Sequence, residues 1–233
     1  PLQMLLKRHT TLRQAEFYLE SRGDNIAEYL EEDSVYTRSL EELQNTIPPG
    51  IQKTLVERDN IPHFLFRESD LVVIVGPDGL FVNTARYLGS QPVLTVNPDP
   101  KRIDGVLMRF NTSEAINSLE SLLSGGDPDV VDITLAKAIT NDGRSLLAVN
   151  DFLVGRKDQV SARYRISING REERQSSSGV LVSTGVGSTG WMRSVVTMVQ
   201  AISGRAPHLV LPKWFDDFLV FAVREPFPSK YTG

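Results

Sequence analysis

Residues 176–191 read SSSGVLVSTGVGSTGW, and residues 70–80 read DLVVIVGPDGL. The first places an apolar strand, 180–182, ahead of a loop of Gly, Ser and Thr that closes on Trp191. The second places five consecutive apolar residues, 71–75, ahead of Gly76-Pro77-Asp78-Gly79. A run of that kind suits a parallel strand covered on both faces. Both strands stop at small residues with accessible backbone N–H groups, and such turns admit phosphates and sugars. Two of them imply one nucleotide site built from two segments.

Around residues 71–75 the pattern alternates strand and helix. Residues 2–6 read as a short strand, and 11–20 as a helix closed by Gly23. Residues 24–46 read as an acidic helix with a break near Asp33-Ser34, ended by Pro48-Pro49-Gly50. A strand is expected at 51–57, a short helix at 81–88 and a strand at 91–96. A helix at 113–123 is capped by Asn111 with Glu114 three residues on. This alternation predicts a parallel α/β sheet.

Around residues 176–191 the pattern is different. Ser124-Gly125-Gly126-Asp127-Pro128 forms a turn-rich junction. The expected organisation is therefore an α/β nucleotide-binding domain over residues 1–125, then a mainly antiparallel, β-rich domain over 126–233. Val131, Ile133 and Leu135 share one face of an expected strand. Asn141-Asp142-Gly143 is a turn, and 146–149 pairs back. Residues 164–168 alternate up to Asn169-Gly170, a strong hairpin signal. A helix spans 191–203 with Gly204 behind it, and 218–223 is a last strand. The chain begins at Pro1, and its polar end before Gly233 reads as a cut in a longer fold.

Composition narrows the function. The 233 residues are 40% hydrophobic and 23% charged, ordinary for a globular protein. A net charge of −4 argues against a general nucleic-acid or membrane-surface binder. With no cysteine, disulfides, thiolate zinc and cysteine nucleophiles are excluded. His9, His63 and His208 lie far apart, so a histidine metal site is not expected. No apolar run approaches the roughly 20 residues that span a bilayer.

Three motifs carry candidate chemistry, each with an ordinary alternative. Gly76-Pro77-Asp78-Gly79 is a tight turn by residue type. At the carboxyl end of a parallel strand, Asp78 also faces the region where α/β folds bind ligands, where a carboxylate can accept a hydroxyl proton. Asn150-Asp151 is a common turn pair, yet it sits between apolar runs, and an amide beside a carboxylate can bind a ribose diol and an adenine edge. Residues 183–190 can be a flexible loop. They lead into an amphipathic helix and so read as a donor-rich helix N-terminus. No Lys follows the last Gly, so this is not a P-loop. Lys157, Arg171 and Arg174 can form a basic lip for phosphates, with a solvated hairpin edge the simpler reading.

In this order and spacing the three motifs resemble the NAD kinase family, which pairs a Gly-Gly-Asp-Gly loop, an Asn-Glu pair and a loop of the type S-T-x-x-G-S-T-A-Y. Val96-Asn97-Pro98-Asp99-Pro100, Asp104-Gly105, Ser176-Ser177-Ser178-Gly179 and Arg224-Glu225-Pro226 resemble its mitochondrial-type branch. The resemblance covers nearly the whole chain. It implies an enzyme transferring the γ-phosphoryl of ATP, with Mg2+ accompanying the donor, to the 2′-hydroxyl of the adenosine ribose of NAD. It implies Asp78 as the catalytic base and Gly76 and Gly79 as the phosphate loop. Asn97, Asn150, Asp151, Thr189, Gly190, Trp191 and Ser194 are the implied NAD contacts, with no resident metal ligands. A homodimer is implied, in the cytoplasm or, in a eukaryote, the mitochondrial matrix.

Three departures bear on activity. Pro77 replaces a Gly and removes a backbone N–H. Leu80 replaces a Thr, and Asp151 is shorter than the usual Glu. Two alternatives stand beside this reading: a relative that binds NAD or another adenine nucleotide with weak or no turnover, and a lipid kinase of the diacylglycerol or sphingosine type, which shares the Gly-Gly-Asp-Gly loop.

Overall fold

The apolar residues of 72–75 and 93–97 form the two longer strands of a parallel sheet in the first of two units, Pro1–Val130 and Val131–Gly233. The computed structural model describes residues 2–230 and residue 232. Strands β1 (Val72–Val75), β2 (Val93–Asn97) and β3 (Phe110–Asn111) lie in that order, both pairings parallel. Val75 stands opposite Val96, and Asn97 opposite Asn111. Helix α4 (Asp78–Ala85) leaves the end of β1, and α5 (Thr112–Leu123) leaves β3.

The start of α5 is fixed by reciprocal caps. Glu114 N–H donates to Asn111 Oδ1 at 3.0 Å, and Asn111 N–H to Glu114 Oε2 at 2.9 Å. Its apolar face lays Ala115 and Leu119 on Val75, Leu94 and Val96, with Leu43 of helix α3 (Ile26–Thr46) closing the cluster. Helices α1 (Leu2–His9) and α2 (Leu12–Glu20) build a satellite core of Leu2, Ala15, Leu19 and Ile26.

The second unit is antiparallel. Two hairpins, β4 (Ala136–Ile139) with β5 (Ser145–Ala148) and β7 (Ala162–Ile168) with β8 (Arg171–Ser177), flank β6 (Asp151–Val154) in sequence. The second hairpin turns at Asn169 and Gly170, with φ of 50° and 76°, the positive pair that a type I′ turn needs. Strand β9 (Gly179–Ser183) is central, with β6 on one side and β10 (Val220–Arg224) on the other. Helix α6 (Trp191–Ser203) packs Met192 and Val195 onto Leu181 and Val220.

Four local expectations change. Residues 2–6 are helical, because Leu2, Leu5 and Leu6 recur at helical spacing and pack on α2 and α3. Helix α3 runs unbroken through Asp33-Ser34, because Ser34 is exposed and its hydroxyl bonds no backbone group. Residues 51–57 form no strand, since the exposed Ile51 and Leu55 bring no partner ladder. Residues 131–135 make a single backbone bond, Thr134 N–H to Trp214 O at 2.8 Å, and the ladder starts at Ala136. Among the described residues no helix is long and apolar enough to cross a membrane.

Leu119 is 2% exposed in the first unit's core. Leu119→Ala is expected to cost about 2–5 kcal/mol, read by urea denaturation.

Candidate functional site

In the second unit, strand order decides what meets what. Strands β6 and β9 are antiparallel neighbours, so Asp151 stands opposite Ser183. The turn leaving β9 therefore folds back over the residues entering β6. Thr184 N–H donates to Asn150 O at 2.9 Å, and the Thr184 hydroxyl donates to Val149 O. A Cβ on Gly187 would overlap Asn150 O and lie 2.5 Å from Ser183 Oγ and 2.6 Å from Asp151 Oδ1. Only a glycine lets the turn sit this close. At Gly185 a Cβ would overlap Lys213 O.

Several of the donors expected of residues 183–190 are engaged within the turn itself. Gly187 N–H is taken by Thr184 Oγ1 at 3.1 Å, Ser188 N–H by Thr184 O at 3.0 Å and Gly190 N–H by Gly187 O at 2.9 Å. The Ser188 hydroxyl donates to Gly185 O at 2.6 Å and that of Thr189 to Val186 O at 2.9 Å. These bonds build the loop's own 3-10 turn, Gly187–Thr189.

Two side-chain acceptors beside the turn are unspent. Among the described residues, the buried side-chain atoms without a hydrogen-bond partner are Asn150 Oδ1 and Asp151 Oδ1. A buried acceptor left alone is costly, so this pair favours a ligand bearing hydroxyl or amino donors. Burial pushes the Asp151 carboxyl above the ordinary carboxylate range, and the Ser183 hydroxyl opposes that shift. Gly190 lies beside the same amide, a Cβ there meeting Asn150 Nδ2 at 3.9 Å. Trp191 follows with its ring exposed, and the Arg224 guanidinium lies 5.0 Å from its centroid. Ser194 is in the first turn of α6, its N–H on Gly190 O at 3.3 Å. The second unit thus brings Asn150, Asp151 and Gly190 together with Trp191 next in chain.

In the first unit, Gly76 has φ of 149°, a region open to glycine, and its N–H bonds Val96 O at 3.0 Å. Pro77 caps α4 at no cost in helical bonds, because that N–H has no partner inside the helix. Asp78 is half-buried, and both carboxylate oxygens are engaged: Val106 N–H donates to one at 3.1 Å and Leu107 N–H to the other at 3.0 Å. Each oxygen keeps a further lone pair for a substrate hydroxyl. Gly79 is exposed beside it.

Asn97 is buried and works on the following loop. Its Nδ2 donates to Ile103 O at 2.8 Å, and its Oδ1 accepts from Asp99 N–H at 3.1 Å. A Cβ on Gly105 would overlap Asn97 Nδ2. Arg102 bridges Asp99 at 2.6 Å and Glu31 of α3 at 2.5 Å. The Arg102 guanidinium holds the Asp99 carboxyl below its usual range. Among the described residues no group of three or more His, Asp or Glu stands ready to hold a metal.

Sequence reasoning singled out the 183–190 loop without separating Gly187 from its other glycines. Which one lacks room is set by the pairing of β6 with β9. Val106 and Leu107 were missed because they act through backbone N–H groups.

Comparison with known proteins bears on this arrangement. The chain is similar to NAD kinase 2, mitochondrial, of Rattus norvegicus: 27% identity over 251 residues, 83% of this chain and 58% of that protein. It is similar to the NAD kinase of Methylococcus capsulatus: 30% over 135 residues, 56% of this chain and 46% of that one. The chain spans about half the length of these curated relatives. No protein-family model matches it. In structure it resembles yeast NADH kinase, solved in complex with NADH, at a TM-score of 0.53 and 20% identity, covering 70% of this chain and 46% of that one. That likeness bears on fold alone. In sequence this chain is similar to NAD kinases, and in fold to a solved NADH kinase.

Proposed function

We propose that this protein transfers the γ-phosphoryl of ATP to the 2′-hydroxyl of the adenosine ribose of NAD, making NADP. The observation that carries the reading is the unpartnered acceptor pair Asn150 Oδ1 and Asp151 Oδ1 under the Gly187 turn. A ribose diol and an adenine amino group are donors of the kind this pair lacks, and the relatives in sequence are NAD kinases.

In this reading Asn150 and Asp151 hold the nucleoside, and Trp191 offers a flat face to a ring. Asp78 accepts the 2′-hydroxyl proton as the oxygen attacks the γ-phosphorus and ADP departs. The two N–H groups of Val106 and Leu107 orient its carboxylate for that transfer. Mg2+ comes with the donor and neutralises charge on its phosphates, and the protein's part is positioning. We further propose a homodimer, for which the outward Met198 and Ile202 of α6 offer apolar surface.

A second reading is an NAD-binding relative with slow turnover. It is favoured by Pro77, which withdraws a donor from the phosphate loop, and by the engagement of both Asp78 oxygens. The deciding experiment is NADP formation from NAD, ATP and magnesium, read with an NADP-specific dehydrogenase. Turnover supports the kinase. No turnover with an NAD-raised melting temperature supports the second reading, and neither effect overturns both.

Asp78→Asn is expected to lower turnover by about 10²–10⁴-fold while NAD still raises the melting temperature. An amide at 78 turns an N–H2 toward one of the two backbone donors, so the unliganded melting temperature falls as well. If turnover survives, Asp78 is not the base.

The raised pKa of Asp151 sets a pH dependence. A carboxyl raised on folding contributes stability that is fully present below its unfolded pKa, about 3.9, and is lost as pH rises through the folded value. Asp151→Asn should therefore lose less stability than the parent on going from pH 4 to 7. A ligand hydroxyl favours the ionised carboxylate, so NAD affinity should rise with pH in the parent and stay flat in Asp151→Asn. Calorimetric titration at several pH values checks both.

A further inference from the structure

The second unit contains a groove of about 790 Å³ at the far end of β6 from Asn150 and Asp151. That volume falls in the range of small-molecule sites. Its walls are mixed. Val154, Val160 and Phe227 supply exposed apolar surface, and Arg156, Arg163, Ser161 and Ser176 supply polar groups. The walls are tied together: Phe227 N–H donates to Ser176 O at 2.8 Å, and the Tyr164 and Ser177 hydroxyls share a bond of 2.6 Å.

The charge beside this groove is unbalanced. Strand register sets Arg163 opposite Ser176 and Arg165 opposite Arg174, so three arginines share one face of the β7–β8 hairpin. Directly opposed like charges destabilise a strand pair. Carboxylates answer only some of these cations. Arg156 pairs with Asp158 at 2.5 Å and Arg165 with Glu172 at 3.2 Å. Arg163 and Arg174 have no ion pair among the described residues. Glu173, next in chain to Arg174, points to the opposite face, where it accepts from Gln175 Nε2.

We propose that this groove binds a chain of phosphates, with Arg163 of its wall and Arg174, beyond the wall on the same hairpin face, as cationic contacts and Phe227 as a platform for an attached ring. The chemistry fits a nucleoside di- or triphosphate, and inorganic polyphosphate carries the same charged part without the ring. Two unpaired guanidiniums on one face suit phosphate oxygens, which accept from their N–H forks. The phosphate charge relieves the repulsion that the hairpin otherwise carries. The inference does not depend on the kinase reading, since none of these residues belongs to the machinery assigned above.

The test is calorimetric titration of the full chain with sodium tripolyphosphate and, separately, with ADP. The Asp151→Asn background is run in parallel, so that a failure of the NAD site is read apart from a failure of the groove. Arg163→Gln with Arg174→Gln should weaken tripolyphosphate at least about tenfold, the scale of a lost charge-assisted bond, and flatten its salt dependence. If Phe227→Ala weakens ADP and leaves tripolyphosphate unchanged, a nucleotide is the occupant. If it changes neither, the groove takes inorganic polyphosphate. Without any phosphate, Arg174→Gln should hold or raise the melting temperature. Tripolyphosphate binding unaltered by the double substitution, or absent in the parent at low salt, overturns the proposal.

Discussion

The second unit depends on one close approach, that of the turn after β9 to the backbone entering β6. Thr184 N–H on Asn150 O and the Thr184 hydroxyl on Val149 O hold it, and Gly187 permits it by having no Cβ. Two results follow from the same geometry. The turn engages several of its own donors, and Asn150 Oδ1 and Asp151 Oδ1 beside it are sealed from water. Sealing an acceptor without a partner raises the free energy of the unliganded state and leaves that energy to be recovered by a donor of the right shape. Stability and recognition are therefore opposed at Asp151, where burial also raises the carboxyl's proton affinity.

The first unit treats its key carboxylate differently. Asp78 is held by amides from the loop after β2, and that loop is itself held by Asn97, Asp99 and Arg102, with Glu31 reaching across from α3. The chain of contacts runs from an acidic helix face to the Asp78 oxygens. The pair Arg102–Asp99 has one buried partner, so solvent weakens it less than it would a surface pair. Glu31 lies on the exposed face of that acidic helix, and its carboxylate reaches Arg102 of the loop.

Much of the fold could be read from periodicity and turn chemistry. The run 71–75, the Asn111–Glu114 box, the Asn169-Gly170 hairpin and the span of α6 are local signals, and the structure agrees with them. The misread segments were those where local pattern is silent. Residues 2–6 are apolar enough for either strand or helix, and packing against Ala15 and Leu19 decides. Residues 51–57 have strand-forming side chains but no neighbour to pair with. At the candidate site, residue identity exposed Asn150, Asp151 and the glycine loop. It could not say that the loop would face inward, because that follows from strand pairing across thirty residues of chain.

The order of strands in the second unit also bears on how the chain is made. Strand β9 lies between β6, which precedes it, and β10, which follows only after the whole of α6. While a ribosome is still synthesising α6, β9 can pair on one side alone. Its other edge, carrying Val180, Leu181 and Val182, stays open as an unpaired apolar ladder. The β7–β8 hairpin, closed by its own turn, needs no later partner and folds at once. The interval between β9 and β10 is thus the period in which a nascent chain is most exposed to wrong pairing with its neighbours.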